Sequence, residues 1–273
     1  NALQPQDQLD LQYQIAQLHL ALDKWKEGEV LLTQWFEDAE ALGSPPGPSA
    51  HALLAQIYLY FASDEKKDSP EEAQFYRKAE PHAQIAVFRA TEPRENWYQL
   101  YLSILLFDDR YEEAVPILEA MVYRFPEKKN YYRQLAALYA EQKMENSSFQ
   151  IQQIMHNKGM LEKHDELLRI SQLYLYYDIP FKAAIIMEKE LEDGRIKDEE
   201  KYWEQLANAW LSSREWLKAI PPLQKAAEMS EDGELFLRLG QTFMQEEEWE
   251  NAENYIKYAI KKGDLDNPGR AWL

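Results

Sequence analysis

The five histidines and nine glycines are the residues whose spacing could first indicate catalysis or metal binding. A zinc-protease helix carries two histidines four residues apart, and no two histidines of this chain have that spacing. The glycines form neither of the loops that cradle phosphates, and no G-x-S-x-G nucleophile turn occurs. The segment 264–269 (DLDNPG) partly matches a calcium loop, but a proline stands where the third ligand should be. We therefore predict no catalytic residue, no metal site and no cofactor, and a chain that is not an enzyme.

The composition narrows the classes of partner. With 48 acidic and 30 basic side chains the net charge is −18, which disfavours nucleic acid and anionic lipid because both bind clustered Lys and Arg. The absence of cysteine excludes disulfides, zinc–thiolate sites and thiol nucleophiles. No stretch approaches the roughly 20 apolar residues that span a bilayer, so we predict no direct membrane span. A protein or peptide is the partner class that remains.

One column of mostly small residues recurs along the chain inside helical patterns. Its members are Ala16, Ala55, Leu102, Ala136, Ser171, Ala207 and Gly240. The last four intervals between them are 33 to 36 residues, close to the 34-residue tetratricopeptide (TPR) period. Three positions later stand bulky residues, mostly aromatic: His19, Tyr58, Leu105, Tyr139, Tyr174, Trp210 and Phe243. Twelve positions after the first column a second, mostly small one follows: Gly28, Ala114, Ser148, Ala183, Ala219 and Ala252.

These linked columns predict the fold. Two helices approach closely only where small side chains let their backbones meet, and the aromatic residues fill the space beside those contacts. A single helix pair leaves an apolar face bare, so neighbouring pairs must stack. We predict an all-α, right-handed superhelical TPR solenoid of antiparallel helix pairs. It forms a single domain over 1–273, with about seven repeats at 9–42, 48–94 (with an insertion), 95–128, 129–163, 164–199, 200–232 and 233–266.

Local signals place some of the helix ends. The stretch Ser69-Pro70-Glu71-Glu72 matches a capping box, with proline at the first helical position. Pro81 is expected to break the helix that starts at Pro70. Gly194, Gly233 and Gly263 are expected near the turns between repeats, as C-terminal caps. The segment 267–273 is interpreted as the start of a further repeat, and the beginning of the chain, which lacks Met, as processed or trimmed.

A candidate binding face follows from the register, because the first helices of such repeats line the concave surface. The projected residues are rich in amides and tyrosines, which suit the backbone of an extended peptide. We call this set the predicted face: Tyr13, Gln17, Gln56, Tyr60, Gln99, Ser103, Phe107, Arg133, Leu168, Gln172, Tyr176, Glu204, Asn208, Gln241 and Gln245. The alternative interpretation is that its Gln and Asn residues only make the helix surface soluble.

Four stretches carry a more specific resemblance. They are 166–188 (ELLRISQLYLYYDIPFKAAIIME), 206–211 (LANAWL), 233–240 (GELFLRLG) and 267–273 (NPGRAWL). They resemble the Gram-negative TPR proteins described as components of the TonB system, encoded beside TonB, ExbB and ExbD homologues, and the likeness is best over 96–273. The resemblance implies a periplasmic accessory of energy transduction for outer-membrane uptake, with TonB-complex components as partners. It supplies no binding residues.

Two alternatives stay open from the sequence. One is a different bacterial assembly or regulatory scaffold, periplasmic or cytoplasmic, that uses the same face. The other is the interaction part of a larger enzyme whose catalytic domain lies elsewhere.

Overall fold

The computed structural model describes residues 4–266 and 269, and these residues form fourteen α-helices. No β-strand occurs in this part of the sequence. The predicted all-α fold of tetratricopeptide-type antiparallel helix pairs is confirmed. The chain divides into two compact units, Asn1–Glu145 and Asn146–Leu273, which are described separately below as unit 1 and unit 2.

Unit 1 contains three helix pairs and a further first helix. In chain order the helices are α1 (Pro5–Ala21), α2 (Trp25–Ala41), α3 (Pro48–Asp64), α4 (Pro70–Phe88), α5 (Glu95–Phe107), α6 (Tyr111–Arg124) and α7 (Lys129–Glu141). The pairs are antiparallel: near the start of α1, the Leu9 carbonyl accepts a hydrogen bond from the Trp35 indole near the end of α2, at 2.9 Å.

Unit 2 begins one residue into α8 (Glu145–Asn157) and continues with three helix pairs. These are α9 (His164–Tyr176) with α10 (Pro180–Glu192), α11 (Glu200–Ser212) with α12 (Trp216–Met229), and α13 (Glu234–Gln245) with α14 (Trp249–Lys262). The predicted further repeat at 267–273 lies outside the described residues, apart from Gly269.

The small-residue columns mark the closest approaches between paired helices. Ala16, Ala55 and Ala207 have no exposed surface. A Cβ atom added to Gly240 would lie 2.6 Å from Ile256 Cγ1 and 3.1 Å from the Ala252 carbonyl oxygen. Because a larger side chain has no room there, residue size in these columns sets the distance between helices.

This close packing predicts the outcome of a substitution in unit 2. Ala207→Leu should lower the free energy of unfolding by about 1–3 kcal/mol, because the added carbons overpack the contact between α11 and α12. Chemical denaturation followed by circular dichroism measures the change. Ala137→Leu, at an exposed position of α7, is the control and should have little effect. Equal stability of Ala207→Leu and the wild type would show that the repeat register is wrong.

The expected break at Pro81 is wrong. Helix α4 runs without interruption from Pro70 to Phe88. Pro81 is exposed, whereas Ala79 and Ala83 on either side of it are completely buried. Packing of this alanine face on both sides of the proline holds the helix together, although Pro81 supplies no backbone N–H. The start of the helix is as expected, since the Ser69 hydroxyl accepts a hydrogen bond from the Glu72 N–H at 3.1 Å.

The expected role of Gly233 is also wrong. It directly precedes α13, at the N-terminal cap, and its φ of −89° is an ordinary value. Its N–H donates to the Gly263 carbonyl at 2.9 Å, so this glycine lies against the end of α14. The reason for glycine here is steric: an added Cβ would lie 2.4 Å from the Ala259 carbonyl oxygen.

The turn that follows the first helix of a pair has a recurrent backbone conformation. Seven non-glycine residues in these turns have left-handed φ angles between 54° and 62°: Asp23, Asp68, Asp109 and Lys143 in unit 1, and Asp178, Arg214 and Glu247 in unit 2. Left-handed backbone costs an L-residue about 1 kcal/mol or more, and Asp tolerates it better than most residues. Four of these seven positions are accordingly Asp.

Candidate functional site

Most of the predicted face is open to solvent. Ten of its residues are exposed: Gln17, Gln56, Tyr60, Gln99, Ser103, Arg133, Gln172, Tyr176, Gln241 and Gln245. The other five are half-buried: Tyr13, Phe107, Leu168, Glu204 and Asn208. Binding by these residues stays a prediction, but unit 1 brings some of them together around two cavities.

The first cavity, which we call the Arg94 cavity, has a volume of about 330 Å³. Tyr13 and Gln17 of α1 and Gln56 of α3 lie on its wall, so two successive first helices contribute predicted residues to one site. Helix α3 also contributes Ser49, Ala52 and Leu53. The segment entering α5 completes the wall with Arg94, Asn96 and Trp97. The site therefore combines amides, hydroxyls and one guanidinium over a small apolar floor.

Tyr13 is held in position from behind. Its ring lies 4.8 Å from that of Trp35, and the Trp35 indole is fixed by its hydrogen bond to the Leu9 carbonyl. Burial raises the pKa of the Tyr13 phenol, and the Gln17 amide and the Arg94 charge only partly oppose this effect. The phenol is therefore protonated at neutral pH and can donate a hydrogen bond to a ligand.

The second cavity, the Gln99 cavity, has a volume of about 580 Å³ and includes Gln99 and Ser103 of the predicted face. Four of its polar residues already have partners. The Gln99 amide donates to the Tyr131 hydroxyl at 2.7 Å, and that hydroxyl donates to Glu95, which also lies 3.7 Å from the Lys128 ammonium. Burial and the Glu95 carboxylate raise the pKa of Tyr131 to about 12, so this hydroxyl stays protonated.

Two aromatic residues of the predicted face are packed against second helices of unit 1. Tyr60 stacks on Trp25 with ring centroids 4.1 Å apart, and Phe107 stacks on Tyr76 at 3.8 Å. Since one side of each ring is covered, these residues offer a partner only part of their surface.

The predicted residues of unit 2 are arranged differently. Arg238 holds two of them together: it contacts the Glu204 carboxylate at 2.5 Å and donates a hydrogen bond to the Asn208 side chain. Tyr176 is 72% exposed and meets the Tyr177 ring edge-on. The Glu204 and Asn208 side chains of α11 are thus engaged within the unit.

Two histidines form a pair inside unit 1 that lies apart from the predicted face. The Nδ1 atoms of His51 on α3 and His82 on α4 are 2.9 Å apart, so one donates a hydrogen bond to the other. The Phe36 ring contacts both imidazoles edge-on. Burial lowers the pKa of each histidine, and the His51 charge lowers that of His82 further, to about 4.

Within residues 4–266 and 269, no three His, Asp or Glu side chains are grouped as metal ligands. In the same part of the chain, no helix has the length and apolarity needed to cross a membrane.

Three residues that complete the Arg94 cavity are not among those predicted from the sequence: Arg94, Asn96 and Trp97. They lie in the connection between repeats and the first turn of α5, outside the positions projected from the small-residue column. The signal that could have indicated them is the Arg-Glu-Asn-Trp sequence at the predicted start of a first helix, where side chains reach the preceding repeat.

Comparisons with known proteins return structures only. No protein-family model matches the sequence, and no curated protein matches it. A TPR protein from Parabacteroides merdae is 12% identical over 97% of this chain and 99% of its own, with a TM-score of 0.46. The C-terminal part of a TPR protein from Cytophaga hutchinsonii is 14% identical over 94% and 97%, with a TM-score of 0.43.

A third solved structure is YrrB, described as a TPR protein with an unusual peptide-binding site. It is 14% identical over 64% of this chain and 89% of its own, with a TM-score of 0.42. Because all three TM-scores are below 0.5, the assignment of the fold depends on the helix pairs and small-residue columns of the chain itself.

Proposed function

We propose that unit 1 is a non-catalytic binding module that holds an extended segment of a partner protein. The observation that carries the proposal is the Arg94 cavity, where Tyr13 and Gln17 of α1 and Gln56 of α3 meet on one wall. Residues chosen from the sequence for their register and chemistry thus share a concave site.

The chemistry of this wall suits a peptide. Exposed amides both donate and accept hydrogen bonds, as the backbone of an extended segment requires. A rigid tyrosine adds contact area at low entropic cost, and the volume of the cavity falls in the range of small ligand sites. No described lining residue has the reactive arrangement of a catalytic nucleophile and its base.

Peptide binding can be tested with an array of random-sequence synthetic peptides probed with the whole chain. The affinities of the peptides that bind are then measured in solution by fluorescence anisotropy. The double variant Gln17→Ala/Gln56→Ala should bind them about thirtyfold more weakly, since each of the two lost hydrogen bonds contributes on the order of 1 kcal/mol.

A matched control removes two other exposed amides of unit 1. Gln14 and Gln74 line neither cavity, so Gln14→Ala/Gln74→Ala should retain wild-type affinity. Failure of the wild type to bind any peptide, or equal losses in both double variants, would overturn the proposed function.

We further propose that this module serves a TonB-type energy-transduction complex in the periplasm. The support is the resemblance of the stretches between 166 and 273 to TPR proteins of that system. Affinity purification of the tagged chain from a native envelope fraction should recover TonB, ExbB or ExbD homologues. The Gln17→Ala/Gln56→Ala variant should recover smaller amounts of these proteins. Exclusively cytoplasmic partners would remove this assignment and leave the general scaffold.

A further inference from the structure

The charge on the wall of the Arg94 cavity is positive, although the whole chain carries a net charge of −18. Among the described lining residues Arg94 is charged, and none of the others is Asp, Glu, Lys or Arg. The Gln99 cavity differs, since its wall holds two acidic residues, Glu95 and Glu127, beside two lysines, Lys128 and Lys129. The Arg94 cavity is therefore a local positive site on an acidic protein.

The Arg94 guanidinium is not neutralised from within the protein. Arg110, Arg195 and Arg238 each contact a carboxylate, at 2.5, 2.6 and 2.5 Å. No carboxylate of the described residues lies within ion-pair distance of Arg94, whose observed partner is the Trp97 ring, 5.6 Å from the guanidinium carbon. This cation–π contact places the guanidinium over a buried indole and leaves its N–H donors available.

The surrounding groups suit one kind of ligand. Around Arg94 lie the amides of Gln17, Gln56 and Asn96 and the protonated phenol of Tyr13, all of which can donate hydrogen bonds. A carboxylate accepts several hydrogen bonds at once, and a planar guanidinium matches its two oxygens. A cationic ligand would instead meet Arg94 with no acidic group to offset the repulsion.

We propose that the Arg94 cavity binds the side-chain carboxylate of a Glu or Asp within the partner segment. This inference rests on the proposed function and adds the chemical class of the residue that is recognised. The carboxylate belongs to a side chain inside the segment rather than to its C-terminus. The reason is that α5 also lines the Gln99 cavity of the same unit, which gives an extended segment a second site beyond Arg94.

The test uses the array peptides that bind the whole chain, resynthesised with each Glu and Asp replaced singly by Gln or Asn. At one acidic position the replacement should weaken binding to the wild type about tenfold, because a charge-assisted hydrogen bond is lost. Arg94→Gln should weaken binding of the acidic peptide by a similar factor. The replaced peptide should bind this variant and the wild type equally, which identifies the two groups as partners.

Three further measurements test whether the effect depends on the Arg94 guanidinium and on a side-chain carboxylate. Arg77→Gln removes the same charge from an exposed position of α4 outside both cavities and should leave affinity unchanged. Arg94→Lys, which keeps the charge but not the planar fork, should restore part of the binding. Amidating the peptide C-terminus should have no effect, and loss of binding on amidation would instead assign the site to a terminal carboxylate and overturn the proposal.

The outcomes separate this inference from the proposed function. If peptides bind and depend on Gln17 and Gln56 but tolerate every Glu→Gln and Asp→Asn replacement, the carboxylate site is wrong and the peptide module stands. If Arg94→Gln and Arg77→Gln weaken binding equally, the effect is general electrostatics, which also overturns the inference. If no peptide binds, both proposals fail together.

Discussion

Replacing Gly233 by alanine should lower the free energy of unfolding by about 3 kcal/mol, the largest effect we expect from so small a change. The new Cβ would lie 2.4 Å from the Ala259 carbonyl oxygen and 2.8 Å from that of Gly263. Both are backbone atoms at the end of α14, so α13 and α14 must separate to make room. Denaturant unfolding of the whole chain measures the loss, and hydrogen exchange should locate the added opening in these two helices.

Gly28→Ala is the matched control for this substitution. The new Cβ would lie 2.6 Å from Leu20 Cδ2, the flexible end of a side chain, which can turn aside. Alanine also has about 1 kcal/mol better helix propensity than glycine, so Gly28→Ala should change stability little. Equal losses in the two variants would mean that backbone contact is not the cause and would contradict the account of Gly233.

The free energy of unfolding should fall by about 3 kcal/mol as the pH decreases from 6.5 to 4, because of the His51–His82 pair. The pKa of His82 is about 4 in the folded chain and about 6.5 when it is unfolded, so the unfolded chain binds more protons in this window. Two imidazolium rings cannot face each other through Nδ1 atoms 2.9 Å apart. The Glu40 charge favours a proton on His51, whereas the Arg89 charge and burial oppose it.

His82→Phe separates this effect from other titrations. Phenylalanine keeps a ring beside Phe36 and Tyr58 but binds no proton. Its unfolding free energy at about pH 8 gives the cost of the substitution itself, and the further loss at low pH should be smaller than in the wild type. Identical pH dependence of the two proteins would show that the pair does not control acid stability.

The helix pairs could be predicted because residue size has a direct steric consequence. Gly240 and Ala252 belong to the two small-residue columns, and in the structure these two residues lie against each other where α13 packs on α14. Size patterns of this kind are visible in one sequence because every repeat must solve the same packing problem.

The candidate site could be predicted only in part. Gln17 and Gln56 follow from the register, but Arg94 and Trp97 lie in a connection whose path the repeat period does not determine. The histidine pair was missed for a related reason. Its members are far apart in the sequence and meet across a helix pair, whereas a ligand motif is recognisable in one sequence only when its residues are neighbours on one helix.

At Pro81, tertiary packing outweighs the tendency of proline to break a helix. A proline inside a helix removes one backbone hydrogen bond, and this cost alone favours a break. The buried alanines at 79, 83 and 86 continue one packed face through the proline, and their burial outweighs the lost bond. The sequence around Pro81 contains that alanine spacing, which is the signal for a continuous helix.

The left-handed turns have a consequence for how the protein assembles. Asp109 and Lys143 each adopt a conformation that their own chemistry opposes by about 1 kcal/mol, and a helix of 13 residues such as α5 or α7 is short for independent stability in water. An isolated helix pair is therefore expected to be unstable. The folding nucleus must therefore include several helix pairs. Folding within each unit is then cooperative, and partly folded intermediates are sparsely populated.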